Sequence, residues 1–145
     1  MQGKASERRK KMAEKKFEAL DENLEPVIGF LEENLENLGC PYREMQQICI
    51  AVEEIFVNIV NYAYPESAGP ADLEIRELPG RVIEIILRDG GVPFNPLELE
   101  DPDVTLKPEE RRIGGLGIYL VKKSMDEVTY HYENSQNVLI LRKKI

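Results

Sequence analysis

The chain predicts an α+β fold of the two-layer kind, with a mixed, mostly antiparallel sheet covered on one face by three helices. Two observations carry that expectation. Residues 24–38 and 41–63 repeat apolar side chains at the 3, 4, 7 spacing of amphipathic helices, and shorter runs at 73–75, 81–87, 127–133 and 138–142 alternate or run apolar as strands do. Their order, β-α-α-β-β-loop-α-β-β, suits helices packed on one side of one sheet. The 145 residues suffice for a single core.

Residues 1–16 hold seven basic and two acidic residues and little to bury, so they are expected to form a basic, flexible N-terminal arm preceding a domain at 17–145. Phe17, Ala19 and Leu20 suggest a short first strand. In the first helix Leu24, Val27, Ile28, Leu31, Leu35 and Leu38 form the apolar stripe, Asn23 is the expected N-cap, Pro26 sits in the first turn and Gly39 is the expected C′ residue. Pro41 opens the second helix, whose stripe is Met45, Ile48, Val52, Ile55, Phe56, Ile59 and Val60 and which Pro65 stops. Pro79-Gly80 marks a hairpin turn between two strands. Residues 89–113 combine three prolines with many acids and read as a long functional loop. A third helix is expected from Ile118 to about Met125. The last two strands are expected to be joined by a polar turn at Asn134–Asn137.

Composition excludes several classes. Acidic residues number 27 against 19 basic, a balance of −8; beyond residue 16 it is −13, which opposes binding to a phosphate backbone. One histidine and two cysteines, Cys40 and Cys49, supply neither a histidine-rich metal site nor a disulfide or zinc framework. No apolar run approaches the ~20 residues of a membrane span, and no signal peptide is visible, so a cytoplasmic protein with reduced thiols is expected.

Three elements interrupt this background. Glu54, Asn58 and Asn61 are spaced i, i+4, i+7 and share one polar face of an otherwise apolar helix; a carboxylate and a carboxamide one turn apart can position a hydroxyl and a hard cation such as Mg²⁺. Asp89-Gly90-Gly91 ends an apolar strand, where Asp89 can accept from an exocyclic amine and Gly91 leaves room for a flat ring. Gly114, Gly115 and Gly117 precede a helix, whose N-terminus and close backbone N–H groups suit phosphate. Each of the last two, taken alone, is also an ordinary turn.

In this order the three elements resemble the ATP-binding domains of gyrase-type topoisomerases, chaperones and histidine kinases, the Bergerat (GHKL) fold. More narrowly, the stretches Ala51–Tyr64, Arg88–Phe94 and Gly114–Val121, with Met125-Asp126-Glu127-Val128, resemble the anti-sigma-factor serine kinases over residues 17–145. The resemblance implies ATP and Mg²⁺ as ligands. It implies that Asn58 coordinates Mg²⁺, Glu54 is the base for an attacking hydroxyl, and Asp89 and Gly91 bind adenine. It also implies that Asn61, Gly114, Gly115, Leu116 and Gly117 contribute to ATP binding. Arg111 and Arg112 either neutralise phosphate charge or belong to the lid surface. Two departures stand out: Tyr62 occupies a position where close relatives often carry histidine, and the strand from Asn137 lacks the threonine that often supports the adenine-binding aspartate.

The function implied is phosphorylation of a serine or threonine on a STAS-domain anti-anti-sigma protein. In the alternative complex a sigma factor is sequestered, nucleotide state biases the choice, and a homodimer, with no nucleic acid or membrane partner, accompanies it. The alternative is a non-catalytic ATP-binding module that works by sequestration.

Overall fold

The computed structural model describes residues 10–99 and 116–145. Its elements are β1 (Lys10–Glu18), a 3₁₀ turn (Asp21–Asn23), α1 (Leu24–Asn37), α2 (Tyr42–Tyr62), β2 (Pro70–Leu78), β3 (Val82–Asp89), a second 3₁₀ turn (Pro96–Glu98), α3 (Leu116–Ser124), β4 (Glu127–Glu133) and β5 (Gln136–Lys144). The strands form one sheet in the order β1-β2-β3-β5-β4. All four pairings among the described residues are antiparallel, so the sheet expected to be mixed has no parallel pair there.

The helices end where their sequence says. At the end of α1, Gly39 takes φ +73° and donates its N–H to Glu36 O (2.9 Å) while Cys40 N–H reaches Leu35 O (3.0 Å). This pair of bonds is a Schellman motif, and it needs the left-handed residue that glycine provides. Asn23 precedes α1 but does not cap it: its Nδ2 donates backwards to Glu18 O (2.8 Å), tying the helix to the end of β1. Val27, Leu31 and Leu35 of α1 and Ile48, Val52, Ile55 and Phe56 of α2 are buried on the sheet side, against Leu73, Ile75, Ile83, Ile85, Leu87 and Leu141. Full burial of such a side chain contributes about 1.5–3 kcal/mol. No helix among the described residues is long and apolar enough to cross a membrane. Both cysteines are free and buried; burial pushes the Cys49 thiol up to about 11 and raises Cys40 as well.

Two further expectations change. The basic arm does not extend to residue 16, because the first strand starts at Lys10 rather than near Phe17. Hydropathy does not mark this stretch; its antiparallel ladder to β2 does, setting Lys16 opposite Asp72 and Phe17 opposite Ala71 while Glu14 lies opposite Glu74. The β4–β5 turn is also shorter than expected. Asn134 and Ser135 take φ +54° and +61°, a two-residue turn of the kind that matches strand twist, and β5 begins at Gln136. Asn137 is therefore a strand residue.

The face of the sheet away from the helices carries a ladder of ion pairs. Arg88 reaches Glu74 (2.8 Å) and Asp72 (3.4 Å), Arg76 reaches Glu74 (2.5 Å) and Glu84 (3.9 Å), and Arg142 bridges Glu84 (2.8 Å) to Glu127 (2.7 Å). The guanidinium groups lie over the carboxylates, so Glu74 and Glu84 are buried although their face lacks a helix layer. Burial would raise Glu74, but hydrogen bonds from Arg88 and Arg76 hold it below the ordinary range. Asp72 goes the other way: burial, then the neighbouring Glu14, pushes it up to about 6.

A raised carboxyl favours the protonated native state, so Asp72 contributes stability at low pH that is lost as pH rises from about 4 to about 6. Asp72→Asn is accordingly expected to raise the thermal midpoint at pH 8 and to leave it unchanged near pH 4. An unfolding series across pH 4–8 checks this; a lower midpoint at pH 8 would contradict it.

Candidate functional site

The second half of α2, the ends of β3 and β5, the middle of β4 and the segment 92–96 enclose a pocket. About 390 Å³ of it is free of protein atoms, part continuous with solvent. Ile55 and Ile59 of α2 face Leu87 and Leu139 of the sheet across it, giving flat apolar walls. Its polar groups are Asp89, Asn137, Tyr130 and, on α2, Asn58.

Asp89 is 6% exposed at the last position of β3. Its Oδ1 accepts from Gly91 N–H (2.9 Å) and from Asn137 Nδ2 (2.9 Å). Burial raises its pKa, and these two donors draw it back, leaving it net raised. Since both bonds use Oδ1, Oδ2 is the acceptor left for whatever enters the pocket.

Asn137 is the residue that sequence reasoning missed. Antiparallel pairing sets it directly opposite Asp89. Its Nδ2 donates to Asp89 Oδ1 and to Val92 O (2.9 Å), and its Oδ1 accepts from Phe94 N–H (3.0 Å) and from the Tyr130 hydroxyl. It supports Asp89 and also secures the segment leaving β3. One signal was available: Asn137, Leu139 and Leu141 alternate on the core face, so Asn137 is a polar residue at a position where an apolar one is expected.

Of the glycines expected at the site, Gly91 and Gly117 are described, and each meets a neighbouring residue. A Cβ on Gly91 would lie 2.3 Å from Ala63 O, and Val92 N–H bonds to that same oxygen (2.9 Å). The end of α2 thus requires glycine at 91 whatever the pocket holds. Tyr64 holds the same turn from the other side, accepting from Gly90 N–H (2.8 Å) and donating to Pro70 O (2.6 Å). A Cβ on Gly117 would lie 1.9 Å from Glu54 Oε2, so the Glu54 carboxylate rests against the first turn of α3.

Of the residues expected on α2, Asn58 lines the pocket and Glu54 stands one turn earlier, at the α2–α3 seam. Asn61 is exposed and does not line the pocket. Tyr62, also exposed, packs its ring on Phe94 at 5.6 Å between centroids, beside the pocket mouth. Arg111, Arg112, Gly114 and Gly115 lie outside the described residues, and of Leu116 the backbone alone, at the start of α3, is described.

Comparison with known proteins gives a consistent picture. Residues 17–143 match the model of the histidine kinase-like ATPase domain family. The serine-protein kinase RsbW of Bacillus mycoides (strain KBAB4) is 30% identical over 109 residues, which covers 72% of this chain and 68% of the relative. RsbW of Bacillus cereus (strain AH820) is 28% identical over the same shares. Among solved structures, the RsbU and RsbW domains of a Mycobacterium tuberculosis protein superpose with a TM-score of 0.64 at 14% identity, covering 91% of this chain and 32% of that one. The SiaB–SiaC complex from Pseudomonas aeruginosa gives 0.58 at 14% identity, covering 99% of this chain and 95% of the matched one. At that identity the two structures speak for the fold.

Gly91→Ala is expected to lower unfolding stability by roughly 1–3 kcal/mol, because the new methyl meets the backbone of Ala63 rather than a movable side chain. Urea unfolding monitored by circular dichroism measures it, and an unchanged midpoint would show that the α2 terminus yields freely.

Proposed function

Because the chain belongs to the histidine kinase-like ATPase domain family, we propose that it binds ATP in the pocket beside Asp89 and transfers the γ-phosphoryl group to a serine or threonine of a STAS-domain anti-anti-sigma partner. Partner choice shifts with nucleotide state, a sigma factor being held in the alternative complex and the protein acting as a homodimer. The supporting observation is one cleft that carries a half-committed buried carboxylate, Asp89, on its floor and a second carboxylate, Glu54, on the seam beyond Asn58.

The division of labour follows from the chemistry. Asp89 Oδ2 accepts from the exocyclic amine of adenine, while Ile55, Ile59, Leu87 and Leu139 pack against its faces. Asn61, Gly114, Gly115, Leu116 and Gly117 are proposed to serve the phosphates around the α3 N-terminus, where backbone N–H groups and the helix dipole favour negative charge. Asn58 offers a carboxamide oxygen, and no group of three acidic, histidine or cysteine side chains that would cage a metal occurs among the described residues. This donor set fits Mg²⁺, which keeps waters and phosphate oxygens as ligands and neutralises charge on the β- and γ-phosphates. Glu54 accepts the proton of the partner's hydroxyl as its oxygen bonds to the γ-phosphorus. The bond from that phosphorus to the β,γ-bridging oxygen breaks, and ADP leaves. Phosphoryl transfer of this kind depends on positioning and charge stabilisation, so few side chains suffice.

Glu54→Ala is expected to lower transfer to a STAS-domain protein by roughly 10²- to 10⁴-fold, the usual worth of a general base, while ATP binding persists. Labelled ATP and phosphoserine detection read the first; calorimetric titration with ATP–Mg²⁺ reads the second. Transfer at the wild-type rate would remove Glu54 from the mechanism. Absence of transfer in the wild type, with intact ATP binding, would leave the sequestration module as the function.

A further inference from the structure

We infer that Asn137 is the positioning residue that sets base selectivity in this pocket, because its carboxamide holds Asp89 as a hydrogen-bond acceptor toward the bound ring. The inference rests on the nucleotide-binding reading above and adds a determinant for it.

A carboxamide has two N–H donors and an oxygen with two lone pairs. In Asn137 all four are spent, on Asp89 Oδ1, Val92 O, Phe94 N–H and the Tyr130 hydroxyl. The orientation of the amide is thereby forced. Turned by half a rotation, its oxygen would face a carboxylate and a carbonyl, and its NH₂ would face an N–H donor. Asn137 therefore offers nothing of its own to a ligand, and Gly91 N–H is likewise spent on Asp89. Among the described polar groups at the floor of the pocket, the Tyr130 hydroxyl oxygen and Asp89 Oδ2 keep acceptor capacity, and the carboxylate of the two is Asp89.

A carboxylate oxygen in that position accepts from an amine and repels a ring carbonyl. The floor thus selects a 6-amino purine over a 6-oxo purine, provided Asp89 stays ionised. Burial works against that, and among the described residues no cation is positioned to compensate. The ionisable neighbours are Tyr64, through the Gly90 turn, and Tyr130, beside Asn137; both are phenols raised by burial and neutral at physiological pH. The Asn137 N–H, with that of Gly91, draws the pKa of this buried carboxylate back down against burial. One carboxamide thus touches Asp89 directly and fastens the Val92–Phe94 segment in the same stroke.

The test compares binding of ATP and ITP, which differ at the 6-position, by calorimetric titration with Mg²⁺ at pH 6 and pH 8. Wild type is expected to prefer ATP at both. In Asn137→Asp two adjoining carboxyls share a proton that can be donated to a ring carbonyl. ATP affinity at pH 8 should fall roughly ten- to hundred-fold, as for loss of a hydrogen bond to a charged group. The preference for ATP over ITP should collapse, most strongly at pH 6. Asn137→Thr, which keeps one donor, should bind more weakly yet retain the preference. Should the Asp variant be unfolded by circular dichroism, Asn137→Leu, which removes the donor without adding charge, carries the same comparison. An ATP/ITP ratio equal to that of wild type in the donor-less variants, or an equal loss for both nucleotides, would overturn the inference. Wild type that binds neither nucleotide would overturn the nucleotide reading as well.

Discussion

A carboxylate on the inner face of a β-sheet is stable only if something donates to it, and in this protein the donor comes from the adjacent strand. The contact between Asp89 and Asn137 exists because β3 and β5 pair antiparallel with those two residues opposite one another. The same register sets Leu87 beside Leu139 and Ile85 beside Leu141 under the helices. One alignment of two strands therefore builds the core and the floor of the pocket together. α2 completes the enclosure: its apolar stripe is buried against that floor, and its last turn receives the Gly91–Val92 backbone through Ala63 O.

The charged face of the sheet obeys a related constraint. Helices cover one side, so the other must satisfy its inward carboxylates without a second layer. It does so with three arginines that lie across Glu74, Glu84 and their neighbours. Exposed ion pairs contribute little individually, typically below 1 kcal/mol, but Glu84 has no solvent of its own and depends on Arg142. At the sheet edge β1 sets Lys16 opposite Asp72. The excess of negative charge in the chain beyond residue 16 is thus partly spent in structure rather than spread over the surface.

Much of this was legible in the residues. The stripes of α1 and α2, the Gly39 terminus, and the shared helix face of Glu54 and Asn58 follow from local spacing, and local spacing is what a sequence displays directly; Asp89 joined them through the family resemblance. What escaped was set by non-local pairing. The strand at 10–16 looks like a solvated arm until its partner strand is known. The wholly antiparallel pairing depends on which strands are neighbours. Gly91 reads as room for a ligand because the carbonyl of Ala63, 28 residues earlier, cannot be foreseen beside it. Asn137 reads as turn because its role appears when β5 is laid against β3.

The two-residue turn at Asn134-Ser135 has a consequence for how this protein can change over time. Along β5 the side chains alternate between the pocket side (Asn137, Leu139, Leu141) and the charged side (Val138, Ile140, Arg142). A single-residue insertion or deletion absorbed by slippage of β5 against β3 would exchange those sets. Asn137 would leave the pocket as Arg142 entered the core. Ligand recognition and folding are therefore locked to one integer, the strand alignment. Change along β5 that keeps both pocket and core is therefore substitution at fixed length.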